Sequence, residues 1–65
     1  MMRQFIVDAA EYHRTQGIQI QTRLDTEILY SELYEANLHL ALAWHLAMYN
    51  FLVDTFRITD AELGE

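Results

Sequence analysis

The chain has 65 residues, ten acidic residues against four arginines for a net charge of −6, and no cysteine, lysine or proline. A domain of about 60 residues buries only about 60% of its unfolded surface, so helix packing or self-association must supply stability that disulfides cannot. The lack of cysteine excludes disulfide frameworks, cysteine-based zinc sites and thiol nucleophiles, and the shortage of basic residues disfavours nucleic-acid binding, which requires a face that neutralises phosphates.

No segment has the length of a secretion signal or of a membrane span. The apolar run 5–7 is shorter than a signal-peptide core. The most apolar stretch, residues 38–53, is shorter than the about 20 residues that cross a bilayer. It also carries His39, His45 and Asn50, which are unfavourable in lipid. These features predict a soluble, cytoplasmic protein without a membrane partner.

The first predicted element is a helix over residues 2–16. Apolar and aromatic residues recur there every three or four positions, as on one face of a helix. They are Met2, Phe5, Ile6, Ala9, Tyr12 and His13. Gly17 follows directly, and glycine readily adopts the left-handed conformation that closes a helix. Helix 1 is therefore predicted to end before Gly17.

Residues 17–24 are predicted to connect two helices. Ile18 and Ile20 alternate with two glutamines, which is a strand-like period. An extended connector is the preferred interpretation. A short strand that pairs across a dimer and a helix that simply continues are the alternatives.

A long second helix is predicted over residues 25–57. Asp25 can cap the first turn, and Leu24 with Leu29 would form a hydrophobic staple around it. Glu27 would lie in the first turn, where the helix dipole favours an anion.

The length of this helix implies exposed apolar surface. At 1.5 Å per residue it would measure about 50 Å, roughly twice the diameter of a compact chain of this size. Helix 1, at about 23 Å, could cover only half of it, beside either residues 25–40 or residues 42–57. Uncovered apolar surface of this extent is typical of interaction surfaces.

Helix 2 carries two apolar seams with the alternating four- and three-residue spacing of helical bundles. The first seam is Leu38, Leu42, His45, Tyr49, Leu52 and Phe56, and the second seam is Leu33, Asn37, Leu40, Trp44, Ala47 and Phe51. Two seams indicate two neighbours, so the predicted fold is all-α, a two-helix hairpin that assembles as a homodimeric four-helix bundle, with a tetramer left open. The residues predicted to carry self-association are Leu38, Leu42, Trp44, His45, Tyr49, Phe51, Leu52 and Phe56.

The tail, residues 58–65, opens with a predicted capping box. Thr59 and Glu62 have the required spacing, and Ile58 and Leu63 are placed as a hydrophobic staple. The pattern predicts either one terminal turn or the start of a third helix. The second alternative would make the chain a dimerisation piece of a longer protein.

The predicted function is protein–protein interaction rather than catalysis. A small acidic adaptor or inhibitor would dock on a larger protein through exposed aromatic and acidic residues, since tyrosine is enriched at interface centres. The candidate contact residues are Glu27, Tyr30, Glu32, Tyr34 and Glu35. No catalytic motif and no cofactor-binding motif is present, and no metal ligand set is assigned.

Two other functions remain as alternatives. Glu32, Glu35 and His39 share a helix face and could hold a metal across a dimer, although the usual bundle motif is Glu-x-x-His and the spacing here is one residue longer. A dimerisation module of a nucleic-acid-binding regulator would need its arginines gathered on one face. Within the first seam, His45 is predicted to be a hydrogen-bonded core or interface residue, with a pH-sensitive interface as the alternative.

Overall fold

A computed structural model, which describes residues 2–28 and 31–64, shows an all-helical hairpin. Helix α1 spans Met2–Thr26, and helix α2 spans Glu32–Phe56. The helices are antiparallel, because Arg3 reaches the backbone of Phe56 at one end and Tyr34 reaches Glu27 at the other. Neither helix is both long and apolar enough to cross a membrane. The prediction of a two-helix hairpin is confirmed.

The prediction that helix 1 ends at Gly17 is wrong. Gly17 is buried within α1, where its backbone lies against the side chains of Leu42 and Leu46. A glycine inside a helix costs about 1 kcal/mol relative to alanine, which is less than packing along a long helix can supply. The local preference for a helix end is therefore overridden by contact with α2.

Residues 17–24 are helical, so the predicted extended connector is also wrong. Ile20 is buried and Ile18 is exposed, which reflects their separation by about 200° around a helix and not the two faces of a strand. The Gln21 amide donates to Asp25 at 2.9 Å, one helical turn away. Asp25 belongs to the last turn of α1, so the prediction that it caps helix 2 is wrong. The predicted hydrophobic staple of Leu24 and Leu29 required that cap, and Leu29 lies outside the described residues.

Helix α2 begins at Glu32 because Ser31 provides the cap. Ser31 has extended backbone angles, and its hydroxyl accepts a hydrogen bond from the backbone N–H of Tyr34. Glu32 and Glu35 then occupy the first turn, where the helix dipole favours their charge. The other end is close to its predicted place: Arg57 takes the left-handed conformation and closes the helix one residue earlier than expected.

The two helices are equally long, so α1 runs beside the whole of α2. Each has 25 residues, or about 37 Å. The expectation that helix 1 covers only half of helix 2 is therefore wrong. The molecule measures 43 × 18 × 17 Å and has a radius of gyration of 13.7 Å, compared with about 11 Å for a compact chain of this length.

The core is thin and lies at the end of the hairpin that carries the tail. It consists of Val7, Ala10, Ile58 and Leu63, with Ile6, Tyr49, Leu52 and Val53 packed around them. No large side chain among the described residues is fully buried. The accessible surface is 4881 Å², and a compact monomer of this mass exposes about 4,300 Å². A single hairpin thus leaves more surface in water than a typical globule does.

The tail forms the predicted capping box. The backbone N–H of Thr59 donates to the Glu62 carboxylate, and the N–H of Glu62 donates to the Thr59 hydroxyl. Ile58 and Leu63, the two predicted staple residues, are both buried in the core. Residues 60–64 form turns and not a helix, which agrees with the single terminal turn.

A candidate self-association surface

The first seam faces α1 within the single chain. Leu38 is buried, Leu42, His45, Tyr49 and Leu52 are half-buried, and Phe56 lies at the exposed end. Six of the eight residues predicted to carry self-association are thus members of the seam between the two helices. Their apolar character is explained by the fold of one hairpin, without a second copy.

The second seam is exposed. Leu40 keeps 69% of its surface, Trp44 keeps 56% and Phe51 keeps 57%, and Leu33 is similarly open to solvent. Trp44 and Phe51 are the remaining two residues of the predicted self-association set. A tryptophan and a phenylalanine on a solvent-exposed helix face are unfavourable in a monomer, because their apolar surface contacts water. Exposed apolar patches of this kind are typical of interaction sites.

Helix α1 adds three exposed apolar side chains to the same side of the hairpin. Met2, Phe5 and Tyr12 are exposed, and each directly precedes a residue that contacts α2 or the tail. On α2, Trp44 directly precedes His45 in the same way. In an antiparallel pair, residues one position before the contact line on either helix lie on the same side. The apolar face is therefore Met2, Phe5, Tyr12, Leu33, Leu40, Trp44 and Phe51.

Ring contacts between the helices confirm this placement at the middle of the hairpin. The Tyr12 ring lies edge-on to His45, with centroids 6.1 Å apart, and the Trp44 ring lies edge-on to His13 at 5.2 Å. The two exposed aromatic rings therefore flank one pair of histidines. The contribution of α1 was missed by sequence reasoning, which placed Met2, Phe5 and Tyr12 with the buried residues of helix 1.

The apolar face runs along both helices and has one acidic residue at its edge on each of them, Asp8 on α1 and Asp54 on α2. The hairpin along which the face runs is 43 Å long. Asp8 lies three positions after Phe5 and four before Tyr12, and Asp54 lies three positions after Phe51, so both neighbour members of the face, whereas Glu32 lies about 100° from Leu33 around α2. Both aspartate carboxylates are exposed, and contact through this face must leave them in water at its edge, because burying an unpaired carboxylate is costly.

Two histidines meet at the centre of the hairpin. The Nδ1 atoms of His13 and His45 are 2.9 Å apart, which is a hydrogen-bond distance, and both side chains are half-buried. The prediction that His45 is a hydrogen-bonded histidine of the helix seam is confirmed. Its partner could not be identified without the antiparallel register, although His13 falls on the correct face of helix 1.

The pKa of His13 lies below the ordinary histidine value. Partial burial disfavours the charged ring, and the nearby His45 adds electrostatic repulsion. Both causes disfavour a positive charge on the His13 ring.

The predicted partner-binding residues lie near the loop end of the hairpin. The Tyr34 hydroxyl donates to the Glu27 carboxylate at 3.0 Å, and His39 lies 3.8 Å from Glu35 on α2. Glu27, Glu32, Tyr34 and Glu35 are all exposed. Tyr30 lies outside the described residues. Glu27 follows α1 and does not begin helix 2, as the sequence had suggested.

Neither alternative site is assembled by a single hairpin. Among residues 2–28 and 31–64, no three histidine or acidic side chains come close enough together to hold a metal, and this includes Glu32, Glu35 and His39. Arg14 and Arg23 are nine residues apart on α1, so they point to opposite sides.

Comparison with known proteins gives no match among family models, curated proteins or solved structures.

Proposed function

We propose that this chain is a protein–protein interaction module that works as a homodimer, in which two hairpins pack through their apolar faces into a four-helix bundle. The observation that carries the proposal is the apolar face itself. It gathers seven of the twelve large apolar side chains that stay exposed in the described structure. Its seven members come from both helices and run along the length of the hairpin.

A second copy fits this face better than a charged partner does. The face offers mainly apolar contacts, and the same face on a second copy offers them in return, as an isologous interface requires. The face includes side chains of both helices along a hairpin 43 Å long, so two copies can pack along it as the helices of a four-helix bundle do. The core of one hairpin is thin, and chains of this size commonly gain stability by associating.

The outer surface of the dimer would carry the acids. Glu11 lies about 100° from Tyr12 around α1, away from the apolar face, and Asp8 and Asp54 would stay in water at the edge of the interface when two copies meet. Glu27, Tyr34 and Glu35 would remain accessible near the loop ends. An adaptor or inhibitor would use this second surface to bind a larger protein, preferably one with a basic patch.

The dimer is tested by light scattering on a dilution series. We expect a mass of about 15 kDa for the wild type, twice the 7.7 kDa of one chain. The variants Leu40→Glu and Phe51→Glu place a charge in the apolar face and should give the monomer mass while keeping their helical circular dichroism. Ile18→Glu is the matched control, because Ile18 is as exposed as Phe51, at 57%, but lies on the other side of α1.

Two results would reject the dimer. One is a wild-type mass of 7.7 kDa over the whole dilution range. The other is an equal loss of mass in Ile18→Glu and in Phe51→Glu, which would show that the apolar face is not the surface that associates.

The docking surface is tested separately by affinity capture. The triple variant Glu27→Gln, Glu32→Gln and Glu35→Gln should lose a protein that the wild type binds. A control with Asp8, Glu11 and Asp54 changed to their amides removes the same number of charges from elsewhere and should keep that protein. Equal capture by both triple variants would exclude the loop-end surface as the docking site.

A further inference from the structure

The His13–His45 pair has the geometry of a hydrogen bond that holds one proton. The nitrogens are 2.9 Å apart and the ring centroids 5.2 Å, so the centroid separation exceeds the nitrogen separation by 2.3 Å. That difference is about twice the distance from the centroid of an imidazole ring to one of its atoms. Both nitrogens therefore lie near the line that joins the two centroids. Each lone-pair direction therefore points at the opposite nitrogen. One Nδ1 donates and the other accepts.

The proton content of this pair is limited. A neutral pair supplies one N–H between the two nitrogens, and a singly protonated pair does the same. When both rings are protonated, two N–H groups face each other at hydrogen-bond distance, and the contact must break. The lowered pKa of His13, caused by partial burial and by His45, agrees with this limit.

Among residues 2–28 and 31–64, the acidic side chains lie away from the two rings or are bound elsewhere. On α1, the Tyr12 ring contacts His13. Glu11 is about 200° away from His13 around the helix. Arg14 is about 100° away from His13, on the side opposite Tyr12. On α2, the titratable residue within one turn of His45 is Tyr49. From the tail, apolar residues enter the core, and Glu62 is held by Arg3. In the described chain, no carboxylate is bonded to either ring.

The pair is better suited to a proton than to a metal ion. A chelated ion requires both lone pairs to point at one position beside the nitrogens, whereas here they point at each other. The described residues also offer no third histidine or acid nearby. The location is informative as well: the two rings lie between Tyr12 and Trp44, in the middle of the apolar face.

We infer that the His13–His45 pair makes the association of two copies through the apolar face sensitive to acid. This inference rests on the proposed homodimer. An uncharged pair is covered by a second apolar face at a lower cost than a charged pair, because its facing Nδ1 atoms satisfy each other and it carries no net charge. A protonated pair would place a positive charge without a counter-ion in that interface, which is strongly unfavourable. Acid should therefore separate the copies.

The expected sign is opposite to that of the overall charge. Each copy carries −6 at neutral pH, and ordinary carboxylates keep their charge down to about pH 5. Below that value their protonation reduces repulsion between the copies and favours association. Weaker association between pH 7.5 and 5.5 therefore indicates the histidines, whose ordinary pKa is about 6.5.

The inference is tested by measuring the dissociation constant of the dimer by light scattering at pH 7.5 and at pH 5.5, in the presence of EDTA. We expect it to rise at least about tenfold on acidification, because each copy binds protons as it separates. The double variant His13→Gln and His45→Gln retains two groups that can hydrogen-bond but titrates nothing, so its constant should change less than about twofold. His39→Gln removes the exposed histidine on another side of α2 and should respond like the wild type.

The outcomes separate this inference from the homodimer itself. A wild type that is monomeric at pH 7.5 overturns both. A stable dimer whose constant is unchanged at pH 5.5, or whose pH response is lost in His39→Gln, overturns the acid sensitivity alone. If circular dichroism shows that the double variant does not fold, the two histidine rings of the wild-type dimer are titrated by NMR instead. Titration of both rings near the ordinary value of about 6.5 would contradict the inference.

Discussion

The guanidinium of Arg3 binds the carboxylate of Glu62, which is 59 positions later in the chain, through two hydrogen bonds of 2.7 and 2.8 Å. Arg3 also donates to the carbonyl groups of Phe56 and Arg57 at the end of α2. The first turn of α1 thus satisfies the last carbonyls of α2 and holds the tail. This contact joins all three parts of the molecule.

The Arg3–Glu62 pair predicts a specific loss of stability in acid. The pKa of Glu62 is lowered from 4.5 to about 2, first by its hydrogen bond with Arg3 and then by the Thr59 backbone. Because the folded pKa lies below the unfolded one, the pair stabilises the fold above about pH 4.5, and this contribution is lost as the pH falls towards about 2. Glu62→Gln should be less stable than the wild type at pH 7, and this difference should disappear near pH 2.

The measurement is the melting temperature between pH 7 and 2, by circular dichroism at constant protein concentration. Glutamine can keep the capping contact to the Thr59 N–H, so the variant removes the charge while the cap remains. Asp60→Asn, in the same exposed tail, is the control and should show little change. A difference between wild type and Glu62→Gln that stays constant over the whole pH range would contradict the prediction.

Gly17→Ala should stabilise the protein. A Cβ at this position would lie 3.5 Å from Leu46 Cδ2 and 3.8 Å from Leu42 Cδ1, which are ordinary contacts. Alanine in a helix interior is favoured over glycine by about 1 kcal/mol, so the free energy of unfolding should rise by about that amount. Gly64→Ala is the comparison: its positive φ of 77° disfavours a side chain, so stability should not rise. Urea unfolding decides, and a less stable Gly17→Ala would mean that the two helices cannot accept the methyl group.

Ser31→Ala should shorten or fray the start of α2. The variant removes the hydroxyl that accepts from the Tyr34 N–H, and loss of such a cap costs about 1 kcal/mol. Ser31→Asp keeps an acceptor and should remain near wild-type stability. Thermal unfolding of both variants tests this, and equal destabilisation by alanine and aspartate would show that the hydroxyl does not act as the cap.

The stability lost on substitution by alanine should depend on protein concentration at Leu40 but not at Leu38. Leu38 is 7% exposed and belongs to the seam between the helices, so Leu38→Ala should cost about 2 kcal/mol of hairpin stability at any concentration. Leu40 lies on the apolar face, so Leu40→Ala should lower the melting temperature mainly at high concentration, where the wild type gains stability from association. Melts at two concentrations separate the effects; a concentration-independent loss in Leu40→Ala would place Leu40 in the monomer fold.

Much of the fold follows from local patterns. The tail was predicted residue by residue, because a capping box consists of hydrogen bonds between groups three positions apart. The helical class and the two seams of α2 follow from spacing alone. The half of the apolar face that α2 supplies, including Trp44 and Phe51, could be read from the second seam.

The rest depended on contacts between distant residues. The sequence by itself determined which residues share a helix face, since periodicity and caps act within a few positions. Only the tertiary structure decided that α1 continues through Gly17, because its packing against Leu42 and Leu46 outweighs a local cost of about 1 kcal/mol. It also decided that the first seam is covered by α1, that Phe5 and Tyr12 join the exposed face, and that His13 meets His45. These pairings follow from the register of two antiparallel helices, which no local pattern specifies.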